Sequence, residues 1–282
     1  MLDNPGVPRK KQKSKAITKI KPAKIKRHKE VVISDLKKLD PNTKIYKKLQ
    51  KRLKKQKKLT APNPRVSNRR KQREFYNTPI PKILSDSEDK TLYIIGGGAS
   101  LKGFNCELLK GKNVLSINRA FQAVPWAIAT FWTDSRFYKW YQKDLKRFKG
   151  IKIACRYSQL YDKDTILVRS TGGAGVDEYP YHIRAGNNSG FAALNVGYHL
   201  GAKKIYLIGY DMKSEQGDTH WHDGYVTSHN HSIYERAMIK DFIGAQKYYK
   251  KLKVKLYNAN PDSMLTHIEM CTLKEALNDS MK

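Results

Sequence analysis

Short apolar runs alternate with helical patterns from Thr91 to the C-terminus, and this alternation constrains the fold more than any other feature. It predicts a Rossmann-like, doubly wound α/β fold with a mostly parallel sheet covered by helices on both faces. The predicted strands are residues 92–95, 114–117, 128–132, 151–154, 205–208 and 254–257. The predicted helices are residues 100–109, 135–148, 189–200 and 232–252. Ligands of such sheets bind beyond the carboxyl ends of the strands, where the strand order reverses.

The net charge of +31 is unevenly distributed and divides the chain into two parts. Residues 1–90 contain 29 Lys and Arg against 8 Asp and Glu, whereas residues 91–282 contain 27 against 17. We therefore expect a basic N-terminal arm, residues 1–90, followed by the Rossmann-like domain, residues 91–282. Within the arm, residues 8–29 have too few apolar side chains to fold, residues 43–59 have the period of a cationic helix, and residues 85–89 form an acidic linker.

Three roles remain open for the arm. Its lysines and arginines favour a nucleic acid or another polyanion, bound through residues 1–76. An anionic membrane surface is a second role, and a solubilising tail or a helix that packs on a partner protein is the third. The chain has no apolar run as long as a membrane span and no secretory signal at its start, so we expect a cytoplasmic protein.

The end of the first strand carries a glycine-rich loop, Gly96-Gly97-Gly98, followed by Ser100. Glycines let backbone N–H groups approach a phosphate, and a helix N-terminus favours the anion. A dinucleotide fingerprint would require a third glycine where Leu101 stands, and a P-loop would require a Lys-Ser/Thr pair a few residues later. The loop therefore predicts nucleotide binding without either of these two motifs.

Polar residues also follow other strands. Asp134 and Asp211 each follow a predicted strand, and Asn188 and Ser189 lie where a predicted helix begins. Each is either a ligand contact or base, or a helix N-cap.

The least ordinary segment contains four histidines within twelve residues: His220, His222, His229 and His231. A histidine here is a candidate general base, because its pKa lies near neutrality. A metal site and a solvated loop are the alternatives.

Five motifs in order resemble the bacterial sialyltransferases of glycosyltransferase family 42. They resemble equally the motility-accessory-factor group of proteins (domain of unknown function 115), including phage proteins with the same core. The motifs are residues 93–101, 114–118, 188–194, 201–212 and 261–263, within a match that covers roughly residues 91–265. The chain differs from the family at Gly97, where an Asn is frequent, and at Ala99, where a Pro is frequent.

The resemblance implies a cytidine- or uridine-linked sugar donor as substrate and no metal or other required cofactor. The nucleotide-binding residues that it implies, together with those of the strand ends, are Gly96, Gly97, Gly98, Ser100, Asn118, Asp134, Ser189, Gly190 and Asp211. For the catalytic base, His231-Ser232 matches the family's His-Ser pair best, with His220 and His222 as further candidates.

Two hypotheses follow for the whole protein. The first is a nucleotide-sugar-dependent glycosyltransferase whose acceptor, a nucleic acid or another polyanion, is held by the arm. The second is a non-catalytic nucleic-acid-binding or virion-associated protein that retains the fold.

Overall fold

A computed structural model describes residues 78–155, 161–214, 218, 220–222 and 234–279. Within these residues nine strands form one sheet: β1 Thr91–Ile95, β2 Val114–Ile117, β3 Ala129–Trp132, β4 Ile151–Cys155, β5 Thr165–Gly172, β6 His182–Arg184, β7 Lys204–Ile208, β8 Lys255–Asn258 and β9 Glu269–Met270. The order is β6-β5-β4-β3-β2-β1-β7-β8-β9, and all neighbouring strands are parallel. The predicted Rossmann-like α/β fold is confirmed.

The helices pack on this sheet and connect its strands. The α-helices are α1 Ser135–Arg147, α2 Ser189–His199, α3 Ile239–Phe242, α4 Ala245–Lys251 and α5 Leu273–Leu277. Shorter 3-10 helices are Ala99–Leu101, Cys106–Leu109 and Asn118–Gln122, and a π-helix spans Tyr234–Met238.

Strand β1 occupies the point where the direction of the strand order changes. It pairs with β2 on one side and with β7 on the other. From β2 the chain builds the sheet outward to β6, and then it returns to β7 and builds outward in the opposite direction. The carboxyl ends of β1 and β7 therefore flank the topological switch point, where ligands of this fold bind.

The two faces of β1 contribute to different apolar clusters, as the period of two along a strand requires. Leu92 and Ile94 pack in one cluster with Leu194 of α2, whereas Tyr93 and Ile95 pack in the other. All five residues of β1 are buried, which explains why residues 92–95 are an unbroken apolar run in the sequence.

Two predicted helices are wrong in extent. Residues 100–109 form two separate 3-10 turns, because Gly103 between them has a φ of +78° and Asn105 caps the second turn through the N–H of Glu107. The predicted helix 232–252 is interrupted in its described part, because Gly244 has a φ of +81° between α3 and α4.

Residues 78–90 precede β1 and pack on the sheet domain. Ile80 and Leu84 are buried in the same cluster as Leu92, and the N–H of Leu84 donates to the carbonyl of Leu200 at 2.9 Å. Residues 1–77 of the predicted arm lie outside the described residues, so the division of the chain at residue 90 stays a prediction. No helix in the described ranges is long and apolar enough to cross a membrane.

Candidate functional site

A cavity of about 500 Å³ opens at the switch point. Its walls come from the loops after β1, β2, β3 and β7, from the start of α2, from residues 220–222 and from the π-helix. Every predicted nucleotide-binding residue except Ser100 lines it: Gly96, Gly97, Gly98, Asn118, Asp134, Ser189, Gly190 and Asp211. Predicted positions that are far apart in sequence therefore surround one space.

Two backbone N–H groups of the glycine loop, which the sequence predicted to face a phosphate, donate to the protein instead. The N–H of Gly96 donates to the carbonyl of Ile208 at 2.8 Å, and the N–H of Gly98 donates to the carbonyl of Gly209 at 2.8 Å. These two amides hold β1 against β7 and are not available to a phosphate. Within the described ranges, no residue accepts a hydrogen bond from the N–H of Gly97.

Steric contacts explain why residues 96 and 98 are glycines. A Cβ atom on Gly98 would lie 2.5 Å from Cγ of Asp211, and one on Gly96 would lie 2.6 Å from the carbonyl oxygen of Gly209. A Cβ atom on Gly97 would contact only Cδ2 of His220, at 3.3 Å. Gly96 and Gly98 thus permit close packing of the two loops, whereas Gly97 is the position from which a side chain would occupy the cavity.

Asp211 fixes the glycine loop from the end of β7. Its carboxylate accepts from the backbone N–H of Ser100 at 2.7 Å, from the Ser100 hydroxyl at 2.5 Å and from the side-chain amide of Asn260 at 2.9 Å. Asp211 is 2% exposed, and these three donors compensate for its burial. Ser100 therefore supports the cavity through Asp211 without lining it.

The start of α2 forms the opposite wall. Asn188 caps the helix by accepting from the N–H of Phe191 at 2.7 Å, and buried Asp241 accepts from the N–H of Asn187 at 2.6 Å. The hydroxyl groups of Ser189 and Thr133 lie 2.6 Å apart. The N-cap alternative thus describes Asn188, while Ser189 joins the helix terminus to the loop after β3.

Asn118 follows β2 with a φ of +49°, a left-handed conformation that a non-glycine residue adopts at a cost. Strained backbone of this kind is concentrated at binding sites, and Asn118 lines the cavity.

Asp134 is the N-cap of α1, one of the two alternatives that the sequence left open. It accepts from the N–H of Arg136 at 2.8 Å and forms an ion pair with the Arg136 guanidinium at 2.6 Å. The side-chain hydrogen bonds from Arg136 hold the pKa of this carboxyl below its usual range. Asp134 thereby holds the Arg136 guanidinium at the rim of the cavity.

Two of the three candidate catalytic histidines lie on the cavity wall. The ring centroids of His220 and His222 are 5.7 Å apart, and the N–H of Trp221 between them donates to the carbonyl of Gly97 at 3.3 Å. His231 lies outside the described residues, as does His229. In the part of the chain that the structure describes, no group of three His, Cys, Asp or Glu side chains is arranged to hold a metal ion.

Several cavity residues were not predicted from the sequence. Tyr210 is buried, and its hydroxyl donates to the carbonyl of Gly190 at 3.1 Å; burial raises the pKa of this phenol, which keeps it protonated and donating. Other such residues include Arg119, Arg136, Trp140, Tyr234 and Met238. Tyr234 and Met238 belong to the π-helix, a feature frequent at functional sites but without a sequence signature.

The fold and the site define a Rossmann-like α/β protein with a ligand-sized cavity at the switch point of its sheet. No protein-family model matches the chain, and no curated protein does. Solved structures that are similar to it include a point mutant of the alpha-2,3/8-sialyltransferase CstII, with 19% identity and a TM-score of 0.37 over 64% of this chain and 86% of that one.

Two further structures of the sialyltransferase CstII, from Campylobacter jejuni, are also similar. The complex with the substrate analogue cytidine-5'-monophosphate has 18% identity and a TM-score of 0.35, and it covers 64% of this chain and 84% of that one. The complex with CMP-3FNeuAc has 20% identity and a TM-score of 0.37 with the same coverage, 64% and 84%.

Proposed function

We propose that the protein is a nucleotide-sugar-dependent glycosyltransferase that binds the nucleotide of its donor in the switch-point cavity. One observation carries the proposal: loops from four neighbouring strand ends, the start of α2 and two histidines surround a single cavity of about 500 Å³. Small-molecule sites commonly have volumes from roughly 300 to 1,000 Å³, which includes this one.

The start of α2 is the best candidate for the phosphate site. Ser189 and Gly190 line the cavity at the first turn, where the amides of a helix lack partners within the helix and its dipole favours an anion. The glycine loop contributes the Gly97 amide at most, because its other cavity amides bind the protein. A cytidine- or uridine-linked donor would place its phosphate between these two elements.

The reaction that suits these groups is direct displacement. A histidine base removes the proton of an acceptor hydroxyl, whose oxygen attacks the anomeric carbon of the donor sugar. A new glycosidic bond forms as the bond from that carbon to the phosphate oxygen breaks, and the nucleotide leaves with the electron pair. The α2 terminus stabilises the charge on the departing phosphate. His231 is the first candidate for the base, and His220 and His222 are the candidates on the cavity wall.

The acceptor that we propose is a nucleic acid or another polyanion held by residues 1–76. This segment contains all of the excess of Lys and Arg over Asp and Glu in residues 1–90. An attached binding segment raises the local concentration of its ligand at the active site without any new contact in the cavity.

The test is turnover of a panel of cytidine and uridine nucleotide sugars, with and without DNA, by the wild type and single alanine variants of the three histidines. Replacing the base should lower turnover roughly 10²–10⁴-fold with donor binding unchanged. His267→Ala is the matched control, because His267 is exposed and does not line the cavity. Nucleotide binding without turnover of any donor would favour the non-catalytic alternative.

A further inference from the structure

Helix α1 has one face in the core and one face in solvent. Phe137, Tyr138 and Leu145 are buried against the sheet. The exposed face carries five cations: Arg136, Lys139, Lys143, Lys146 and Arg147. Because residues three and four positions apart are neighbours on a helix, these side chains form one continuous row. The helix is about 20 Å long, so the row extends well beyond the cavity.

The cations of this row carry uncompensated charge. Arg136 is paired with Asp134, whereas Lys139, Lys143, Lys146 and Arg147 form no ion pair with any carboxylate in the described ranges. A solvated helix commonly alternates charges of both signs, and Asp144 is the only acidic residue of α1. The row is therefore suited to a polyanion.

Trp140 lies within the row and is half exposed, at 50%. The other three tryptophans, all described, are buried or partly buried. Trp140 also lines the cavity, and the Arg136 guanidinium lies 5.8 Å from its ring centroid. Because the Asp134 ion pair fixes Arg136, the tryptophan is held beside a positioned cation at the mouth of the cavity.

We propose that this face of α1, with Arg136, Lys139, Trp140, Lys143 and Lys146, is a binding site for single-stranded nucleic acid, and we call it the α1 platform. A base stacks on Trp140 while the phosphates contact the cations, the combination that single-strand sites use. A duplex keeps its bases stacked on each other, and a membrane would require more than one apolar side chain. That the bound strand is the acceptor rests on the proposed function; the binding itself does not.

The stacking half of the proposal is tested by intrinsic fluorescence of the full-length protein titrated with a short oligothymidylate. Stacking on Trp140 should quench the emission, and Trp140→Leu should abolish the quenching and weaken binding roughly 5-fold or more. The matched control is Tyr248→Leu, which removes a comparably exposed aromatic ring (44%) from α4. Quenching that persists in a folded Trp140→Leu variant overturns the proposal, because the quenched emission would then come from another tryptophan.

The electrostatic half is tested with two triple variants of equal net charge. One replaces Lys139, Lys143 and Lys146 by Gln, and the control replaces the exposed Lys247, Lys250 and Lys251 of α4 by Gln. Only the first variant should make the negative slope of log K against log salt shallower, by about 2, since each lost single-strand contact contributes about 0.7. Equal effects of the two variants contradict the platform.

Two further measurements distinguish this proposal from binding of acidic glycans and from the proposed function of the cavity. A sulfated polysaccharide that quenches Trp140 as strongly as the oligonucleotide would reassign the platform to acidic glycans and overturn the assignment to nucleic acid. Calorimetric titration of the wild-type protein with nucleotide sugars tests donor binding in the cavity. A wild-type protein that binds no nucleotide sugar, yet whose Trp140 emission is quenched by the oligonucleotide, would refute the proposed function and leave the platform supported.

Discussion

The hydrogen bonds of Asp211 predict a large loss of stability when this residue becomes Asn. The substitution keeps the shape of the side chain but replaces one acceptor oxygen by an NH₂ donor. If the remaining oxygen accepts from the N–H of Ser100, the new NH₂ faces the side-chain amide of Asn260, which is also a donor. The Asn260 amide could turn its oxygen towards the new NH₂ only by breaking another hydrogen bond, because that oxygen accepts from the N–H of Asp262 at 3.0 Å.

The magnitude follows from these contacts. The Ser100 hydroxyl can reverse and accept from the new NH₂, so that contact is largely kept. The lost interaction is a hydrogen bond to a charged group, about 1.5–3 kcal/mol, together with part of the cost of an unsatisfied buried donor, about 1–3 kcal/mol. We therefore expect the free energy of unfolding to fall by about 3 kcal/mol, which lowers Tm by roughly 6–12 °C in a domain of this size.

Thermal unfolding followed by circular dichroism measures this effect. Asp262→Asn is the matched control, because Asp262 is exposed and its carboxylate forms no hydrogen bond with the described residues. The affinity of the cavity for nucleotides should fall together with stability in Asp211→Asn, since the glycine loop loses its anchor. A Tm within about 1 °C of the wild type would refute the account of how this loop is held.

Two further predictions concern other parts of the chain. Burial lowers the pKa of His199, whose Nε2 lies 3.0 Å from the carbonyl oxygen of His182. The neutral form is thus favoured by folding, so its contribution to stability is present above the ordinary pKa of about 6.5 and is lost as the pH falls below it. Melting curves across this range should show that loss, and His199→Gln should flatten it. Deleting residues 1–76 should remove most of the affinity for duplex DNA while nucleotide binding remains. In the full chain, log K for duplex DNA should fall by about 0.9 per neutralised phosphate for each unit rise in log salt. If the shortened protein binds DNA equally well, the arm is instead a solubilising tail or a segment that binds a partner protein.

The sequence allowed the central strands to be predicted because they are buried on both faces. β1, β2 and β3 are buried throughout and are therefore predominantly apolar, with a single Thr or Ser in each. β5 was missed because its second half contains Arg169, Ser170 and Thr171 and is partly exposed, and β6 and β9 are only three and two residues long. Strands at the sheet margin pack too few side chains to show a period.

The location of the cavity was predictable from the sequence, but the hydrogen bonds among its residues were not. Glycine-rich and polar strand ends indicated the cavity, because parallel strands place their carboxyl ends at one edge. The contact from Ser100 to Asp211 joins residues 111 positions apart, and no local pattern indicates it. Trp140 was part of a predicted helix, yet its exposure at the cavity mouth depends on how that helix packs.

The central claim is that the switch-point cavity binds a nucleotide, and Gly97→Val tests it most directly. A valine there would extend into the cavity beside His220, whereas a side chain on Gly98 would collide with Asp211 and disturb the loop itself. Gly173→Val is the control, because a Cβ atom on Gly173 has no neighbour within 4 Å. Calorimetric titration with CMP and UMP should give binding to the wild type and to Gly173→Val, and at least a roughly 10-fold weaker affinity for Gly97→Val, a loss of about 1.4 kcal/mol. Failure of the wild type to bind either nucleotide, or unchanged affinity in a folded Gly97→Val protein, would contradict the account.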